Sequence, residues 1–219
     1  MIVVHCKLRQ KEEWIKEWEE SLNPRWSMKG VNPYIKQFKN DLTKGKKCVK
    51  IFFPMCGDVA DMNWMADMGH TIVGVEISPV AIEQFFNENE IEYDVNPFEL
   101  MKETVYTSIN GSIRIYCGDF FLFGPSVERD FDGIWDRGSF NTLCDITLKK
   151  KYIKILTLVM KPDCKIIMEF ALMENTIEAK DMKELFDVDY EVTDLGVVSG
   201  YAPEYDDTQF QFFRICRSN

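Results

Sequence analysis

Two apolar segments, one ending in proline and glycine and the other in an acid, most constrain how this chain folds. Residues 51–57 read Ile-Phe-Phe-Pro-Met-Cys-Gly, and residues 74–76 read Gly-Val-Glu. Both are typical of strands in an open α/β sheet, where parallel strands meet at one edge through their carboxyl ends. Gly57 would allow a ligand to approach the backbone closely, and Glu76 could accept hydrogen bonds from neighbouring hydroxyl groups. Together they predict a nucleoside-containing ligand at that edge.

The turn at Gly57 carries only one glycine and not the G-x-G-x-x-G loop of dinucleotide sites. The turn therefore lacks the glycine-rich loop that binds a pyrophosphate group. Glu76 is also the first polar residue after an apolar strand, which places it where ligands bind in such sheets. Both observations favour a single nucleoside over a dinucleotide.

Strand-like and helix-like segments alternate along the chain, which predicts a mostly parallel sheet with helices on both faces. An Asn-Gly pair at 110–111 predicts a hairpin between the two segments that flank it. Two final strand-like segments without a helix between them predict an antiparallel end to the sheet. The predicted strands are 48–53, 71–76, 104–109, 112–117, 131–135, 165–170, 190–194 and 209–216, and the predicted helices are 10–21, 33–42, 58–67, 80–87, 148–160 and 178–186.

Composition argues against several classes of protein. The 26 basic and 36 acidic residues give a net charge of −10, which disfavours nucleic acid and anionic membranes as partners. The seven cysteines are scattered and never spaced C-x-x-C, so neither a disulfide framework nor a metal site is expected. The N-terminus lacks a signal peptide pattern, and no apolar run approaches the thickness of a bilayer. We predict a cytoplasmic, monomeric protein without membrane contact.

Four segments, taken together, resemble the thiopurine S-methyltransferase family. They read Glu-Trp-Ile-Lys-Glu-Trp at 13–18, Phe-Phe-Pro-Met-Cys-Gly at 52–57, Gly-His-Thr-Ile-Val-Gly-Val-Glu-Ile-Ser at 69–78 and Ile-Trp-Asp-Arg-Gly at 134–138. Any one of them is a weak signal, but their joint order and spacing are specific. The resemblance implies a single class I methyltransferase domain, a Rossmann-like α/β fold with seven mostly parallel strands. It also implies S-adenosyl-L-methionine as methyl donor and S-adenosyl-L-homocysteine as product.

The resemblance further implies roles for individual residues. The domain would span 1–219, with 1–44 as a helical cover over the cofactor. Glu76 would bind the ribose, Asp119 and Phe120 would hold the adenine, and Arg137 would lie near the methionyl end and the methyl acceptor as the candidate catalytic residue. The implied cofactor-binding set is Trp14, Trp18, Trp26, Met55, Gly57, Glu76, Ile77, Asp119, Phe120 and Arg137.

Three departures from the family pattern concern mainly the acceptor. Trp26-Ser27 follows the paired tryptophans where the family usually has Phe-His. Asp119 stands where thiopurine enzymes tend to carry serine, although aspartate is the common adenine ligand in other class I methyltransferases. The segment Ala-Leu-Met-Glu-Asn at 171–175 replaces a Pro-Gly-Pro-Pro-rich stretch that helps roof the substrate pocket. We therefore expect a rebuilt acceptor pocket.

Structural alternatives stay open for several of these positions. Trp14 and Trp18 lie four residues apart, a spacing that core packing explains as well as ligand contact. Turn chemistry would account for Asp119 after Gly118. A salt bridge to Asp136 or to another acid would account for Arg137.

The predicted reaction is direct in-line methyl transfer to a small molecule, with a thiol or thiopurine-like sulfur as the favoured acceptor. The chain has only two histidines, His5 and His70, and neither is placed to act as a general base. Cys56 lacks a partner base and is expected to be buried. Transfer to a halide, thiocyanate or an amine is one alternative, and a non-catalytic S-adenosylmethionine-binding protein is another.

Overall fold

The computed structural model describes residues 11–21, 24, 27, 29–101, 103–172, 179–200 and 208–218. Its helices are α1 (Lys11–Glu20), α2 (Pro33–Thr43), α3 (Asp61–Asp67), α4 (Pro79–Glu88), α5 (Ile146–Val159) and α6 (Ala179–Phe186). Its strands are β1 (Lys50–Phe53), β2 (Thr71–Glu76), β3 (Tyr93–Phe98), β4 (Glu103–Ser108), β5 (Ile113–Cys117), β6 (Phe131–Arg137), β7 (Met160–Ala171), β8 (Tyr190–Val198) and β9 (Phe210–Arg217).

These strands form one sheet in the order β3-β4-β5-β2-β1-β6-β7-β9-β8. The five central strands, from β5 to β7, pair in parallel. β9 and β8 follow as an antiparallel end, as the sequence predicts. The mostly parallel α/β sheet with an antiparallel end is thus confirmed.

The sheet has nine strands in the described part of the chain, two more than the seven that the resemblance implies and one more than the eight segments predicted from the sequence. β4 pairs antiparallel with β5 across the Asn-Gly turn, which confirms the predicted hairpin. β3 then adds to β4 as the outermost strand on that side. The sequence did not predict β3, because its short alternating segment contains Pro97, which argues against a strand, and most of its side chains are exposed.

Side-chain caps set the starts of the helices after β2 and β6. Ser78 accepts a hydrogen bond from the Ala81 N–H and is followed by Pro79, so α4 begins as predicted. Asp145 caps α5 in the same way and starts it two residues before the predicted position. The predicted helix at 58–67 begins only at Asp61, because residues 54–60 form an extended turn after β1.

Helix α2 approaches the sheet closely because β6 carries a glycine opposite it. A Cβ atom at Gly133 would lie 2.7 Å from the Leu42 carbonyl oxygen. α1, by contrast, packs against α4 rather than against the sheet. Among the described residues, none of the helices is long and apolar enough to span a membrane. Of the two N-terminal helices, α2 thus packs on β6 and β7, and α1 packs on α4.

Candidate cofactor site

The turn after β1 brings the two residues of the first sequence signal together. Met55 and Gly57 both have positive φ angles, 44° and 55°, so the backbone doubles back just beyond the strand. The Gly57 N–H donates a 2.8 Å hydrogen bond to Oε2 of Glu76, at the end of β2. The predicted pair is therefore one structural unit at the carboxyl edge of the sheet.

Glu76 is 5% exposed and its carboxylate accepts only backbone donors in the described residues. Oε1 accepts from the Ile77 and Ser78 N–H groups at 2.8 and 2.9 Å, in addition to the Gly57 bond on Oε2. Burial raises the pKa of this carboxyl group, and the three N–H donors oppose that rise. A carboxylate has about four acceptor positions, so room remains for a hydroxyl donor. The geometry of Glu76 thus fits its predicted role of binding the ribose.

Helix α1 covers this turn through Trp18. The indole is 2% exposed, and a Cβ atom at Gly57 would lie only 3.3 Å from its Cζ2 atom. Trp14, four residues earlier, is partly buried on the same helix. Trp26 lies outside the described residues. The structure therefore places Trp18 directly against the Gly57 turn, which is compatible with packing and with ligand contact alike.

Asp119 and Phe120 follow β5, whose end lies beside Glu76. The Gly118 N–H donates to the Glu76 carbonyl oxygen at 2.8 Å. The Asp119 carboxylate is partly exposed and accepts a 2.8 Å hydrogen bond from the Phe121 N–H. Phe120 is 3% exposed, with its ring 4.7 Å from that of Tyr152. Asp119 thus presents a carboxylate at the edge, while Phe120 belongs largely to the core.

Arg137, at the end of β6, lies against an acid of the neighbouring strand. Its Nε is 3.8 Å from Oε1 of Glu169 on β7, and its side chain is 10% exposed. Asp136, the other partner considered from the sequence, instead accepts from the Ser139 N–H and the Tyr152 hydroxyl at 2.8 and 2.7 Å. Burial raises the pKa of Asp136 to about 6. The ion pair of Arg137 is therefore with Glu169.

Several buried polar residues around this edge were not predicted from the sequence. Asn32 donates from Nδ2 to Glu169 and from its backbone N–H to Asp61, both at 2.7 Å. The Trp135 indole N–H donates to the second oxygen of Asp61 at 3.1 Å. The order Asn-Pro at 32–33 is typical of a helix start. The sequence gives no sign, however, that Asn32 connects the start of α2 with α3 and β7.

A second unpredicted contact lies on the other side of the turn. The Ser27 hydroxyl donates to Asp58 at 2.6 Å, and the Gln84 side chain donates to the same oxygen at 3.0 Å. Burial raises the pKa of Asp58. Beneath the turn, Cys56 is 6% exposed and burial raises the pKa of its thiol well above the ordinary value, so it is packed rather than nucleophilic. Among the described residues, no group of three or more His, Cys, Asp and Glu side chains is arranged to hold a metal ion.

Comparison with known proteins identifies the family. The family model of thiopurine S-methyltransferase matches residues 9–216. The chain belongs to the thiopurine S-methyltransferase family. A probable thiopurine S-methyltransferase of Danio rerio is 35% identical over 160 residues, which is 72% of this chain and 67% of the fish protein. The thiopurine S-methyltransferase of Bos taurus is 32% identical over 152 residues, 69% of this chain and 61% of the bovine protein. The matched part thus spans about two thirds of the length of these relatives, or less.

Solved structures that share the fold of this chain support the predicted architecture. A protein of echinomycin biosynthesis, concerned with conversion of a disulfide bond into a thioacetal group, has a TM-score of 0.68 at 15% identity and covers 95% of this chain and 93% of its own. Magnesium protoporphyrin IX methyltransferase of Synechocystis, solved with bound S-adenosylmethionine, has a TM-score of 0.63 at 12% identity and covers 95% of both chains. At such low identity these likenesses show the fold alone. They confirm the predicted class I methyltransferase architecture.

The family to which the chain belongs is named for S-methyl transfer, the reaction that the resemblance implied with S-adenosylmethionine as the methyl donor. The residues present fit that cofactor, because a buried carboxylate and a positive-φ turn meet at the end of β2. The individual contacts predicted for the cofactor stay predictions.

Proposed function

We propose that this protein transfers the methyl group of S-adenosylmethionine to a sulfur atom of a small molecule. The observation that carries the proposal is the Glu76 carboxylate, held at the carboxyl edge of the sheet by the Gly57 N–H. In this site the carboxylate binds the ribose hydroxyls, since three backbone donors fix its orientation before the cofactor arrives. Sulfur is favoured because the relatives that match the chain are thiopurine S-methyltransferases.

The remaining predicted residues complete the proposed site. Met55, Gly57 and Ile77 present backbone beside Glu76, while Asp119 accepts from the adenine amino group and Phe120 backs the ring. Arg137 lies towards the acceptor, with its charge balanced by Glu169. Trp14, Trp18 and Trp26 belong to residues 1–44, which we propose as the cover of a single domain spanning 1–219.

The bound cofactor supplies an activated methyl group on a sulfonium. The protein's task is to align the acceptor with the departing sulfur and to exclude water, which can supply much of the acceleration. Trp18 already packs closely on the Gly57 turn, so α1 is placed to exclude water from that side. Residues on β6 and its following loop then hold the acceptor. No general base is needed when the acceptor gives up its proton readily.

A binding measurement on Glu76→Gln tests the cofactor assignment. We expect S-adenosylmethionine affinity, measured by calorimetry, to fall by about 10- to 100-fold, because a charged acceptor of two hydroxyl donors is lost. Glu83→Gln is the matched control, because Glu83 is an exposed acid on α4, the helix that follows Glu76. Unchanged affinity in Glu76→Gln would remove the ribose assignment.

Turnover separates the competing functions. Formation of S-adenosylhomocysteine with thiols or thiones is the expected result. Exclusive turnover with halides or amines would replace sulfur as the acceptor atom, and exclusive turnover with thiocyanate would replace the thiol or thione as the acceptor molecule. Tight cofactor binding without turnover on any acceptor would identify a non-catalytic binding protein.

We also propose that the protein is monomeric, cytoplasmic and independent of nucleic acid. The net charge of −10 supports the last point. Free thiols at Cys48, Cys56, Cys117, Cys164 and Cys216 support a reducing compartment. Cys144, however, takes part in a disulfide, which its scattered position did not predict.

A further inference from the structure

A buried hydrogen-bond network joins the segment after α1 to the turn after β1. The Ser27 hydroxyl donates to Oδ2 of Asp58 at 2.6 Å, and the Gln84 side chain donates to the same oxygen at 3.0 Å. Ser27 is 8% and Asp58 is 7% exposed, so water competes little for these bonds. Lys29 donates to Oε1 of Glu88 on α4 at 2.6 Å. The segment after α1 is thus joined both to the turn and to α4.

The turn that receives the Ser27 bond contains a backbone conformation that needs support from its surroundings. Met55 has a φ angle of 44°, in the left-handed region that residues with a side chain seldom adopt. Such a conformation persists where neighbouring contacts enforce it. Trp18 packs on Gly57, and Ser27 bonds to Asp58. Two of the contacts that hold this turn therefore come from the N-terminal part of the chain.

A short path leads from Ser27 to the carboxylate of Glu76. Asp58 directly follows Gly57, whose N–H donates to Oε2 of Glu76. The path consists of one peptide unit between two hydrogen bonds, of 2.6 and 2.8 Å. A movement of Asp58 changes the direction of the neighbouring Gly57 peptide. The Ser27 bond therefore helps to fix the N–H that orients Glu76.

We propose that Ser27 is a positioning residue for cofactor binding, which acts through Asp58 on the turn that orients Glu76. The inference rests on the proposed function, because it takes Glu76 as the ribose ligand. Without the Ser27 hydroxyl, part of the population leaves the turn conformation in which the Gly57 N–H meets Glu76. The apparent cofactor affinity then falls with the fraction of molecules that stay competent. Bound cofactor restores the turn, so kcat at saturating cofactor changes little.

Removal of the Ser27 hydroxyl tests the proposal. In Ser27→Ala, we expect the dissociation constant of S-adenosylhomocysteine, measured by calorimetry, to rise about three- to tenfold. The KM for S-adenosylmethionine, with thiophenol as acceptor, should rise by a similar factor, while kcat changes by less than about twofold. Ser27→Thr keeps the hydroxyl and should restore most of the affinity. Unchanged affinity in Ser27→Ala would overturn the proposal.

A second buried serine provides the matched control. Ser108 is 2% exposed, and its hydroxyl donates to Asn110 at 2.8 Å in the hairpin between β4 and β5. Ser108→Ala should lower the midpoint of chemical denaturation and leave cofactor affinity unchanged. If Ser27→Ala likewise lowers the midpoint alone, Ser27 is structural only and the proposal is wrong.

Asp58→Asn is the second variant if Ser27→Ala does not fold. It keeps an acceptor oxygen for Ser27 but removes the charge, which weakens the hydrogen bond. Cofactor affinity should therefore fall by about twofold or more. Full affinity in Asp58→Asn would count against the proposed path.

A double-mutant cycle tests whether Ser27 acts through Glu76. In the Glu76→Gln background, Ser27→Ala should weaken cofactor binding by at most about twofold, because the side chain that it positions is already impaired. Losses that multiply in full would show that Ser27 acts by another path, contrary to the proposal.

Calorimetry separates this proposal from the proposed function, since it needs no acceptor. Weakened binding in Ser27→Ala, in a protein that turns over no acceptor, would refute methyl transfer and leave the positioning role standing. Unchanged binding in Ser27→Ala, together with weakened binding in Glu76→Gln, would refute the positioning role and leave Glu76 as the ribose ligand.

Discussion

At the scale of single residues, Gly74 shows how closely the turn after β1 is packed on β2. A Cβ atom at this position would lie 2.8 Å from the Cys56 sulfur, and 3.4 Å from atoms of Ile115 and Met62. Cys56 itself is tied to β2 through the hydrogen bond from its N–H to the Val75 carbonyl oxygen at 2.9 Å. The close packing of the turn that carries Gly57 therefore depends on the absence of a side chain at Gly74, beneath it.

We predict that Gly74→Ala lowers the free energy of unfolding by about 1–3 kcal/mol through overpacking. Gly124→Ala is the control, because a Cβ atom there has no neighbour within 4 Å. Adding Cys56→Ala to Gly74→Ala should recover part of the loss, since the clashing sulfur is removed. Chemical denaturation measures all three changes. Equal losses for Gly74→Ala and Gly124→Ala would contradict this account of the turn.

The buried carboxyl group of Asp136 should make the free energy of unfolding depend on pH. Its folded-state pKa of about 6 lies above the ordinary 3.8, because the carboxyl group is fully buried. Its stabilising contribution is therefore complete below about pH 4 and is lost as the pH rises through 6, by up to about 3 kcal/mol. Asp136→Asn should lack this loss when unfolding is measured from pH 4 to pH 7.5. The exposed control Asp94→Asn should follow the wild-type profile, and a parallel profile in Asp136→Asn would refute the assignment.

At the scale of elements, α1 joins the N-terminal segment to the cofactor edge through one aromatic side chain. Trp18 contacts the Gly57 turn, and the helix packs on α4, which itself begins just after Glu76. The segment after α1 adds Ser27 and Asn32 as buried partners of edge acids. The described N-terminal residues are therefore held to this edge of the sheet at several points.

We predict that Trp18→Ala lowers S-adenosylmethionine affinity about tenfold or more and also destabilises the fold by about 3–5 kcal/mol. Trp64→Ala, on α3, is the matched control and should reduce stability without the loss of affinity. Calorimetry and denaturation on the same samples separate the two effects. If cofactor affinity survives in Trp18→Ala, the helix is structural only.

At the scale of the whole molecule, the edge strand β3 is built against pairing with another copy. It contains Pro97, which cannot donate to a ladder, and the exposed acid Asp94. The exposed Val95, at 48%, is the apolar side chain that a pairing partner would cover. This composition favours a monomer.

Sedimentation should give a single species of 25.7 kDa. We predict that the double variant Asp94→Val with Pro97→Val associates in a concentration-dependent manner, because both blocking residues are removed from the edge. The exposed double control Glu191→Gln with Asp187→Asn should stay monomeric. A wild-type dimer at micromolar concentration would contradict the prediction.

The sequence alone determined the central parallel strands, the Asn-Gly hairpin, the Ser78 cap and the pairing of Gly57 with Glu76. These follow from local patterns: apolar runs, turn dipeptides and the first acid after a buried strand. The tertiary structure alone decided the ion pair of Arg137 with Glu169 and the linkage of Asn32 to both Asp61 and Glu169. Those contacts join residues up to 137 positions apart, so no local pattern encodes them. The methyl donor could thus be predicted from sequence, whereas the contacts of Arg137 and Asn32 depend on how the fold brings distant acids to them.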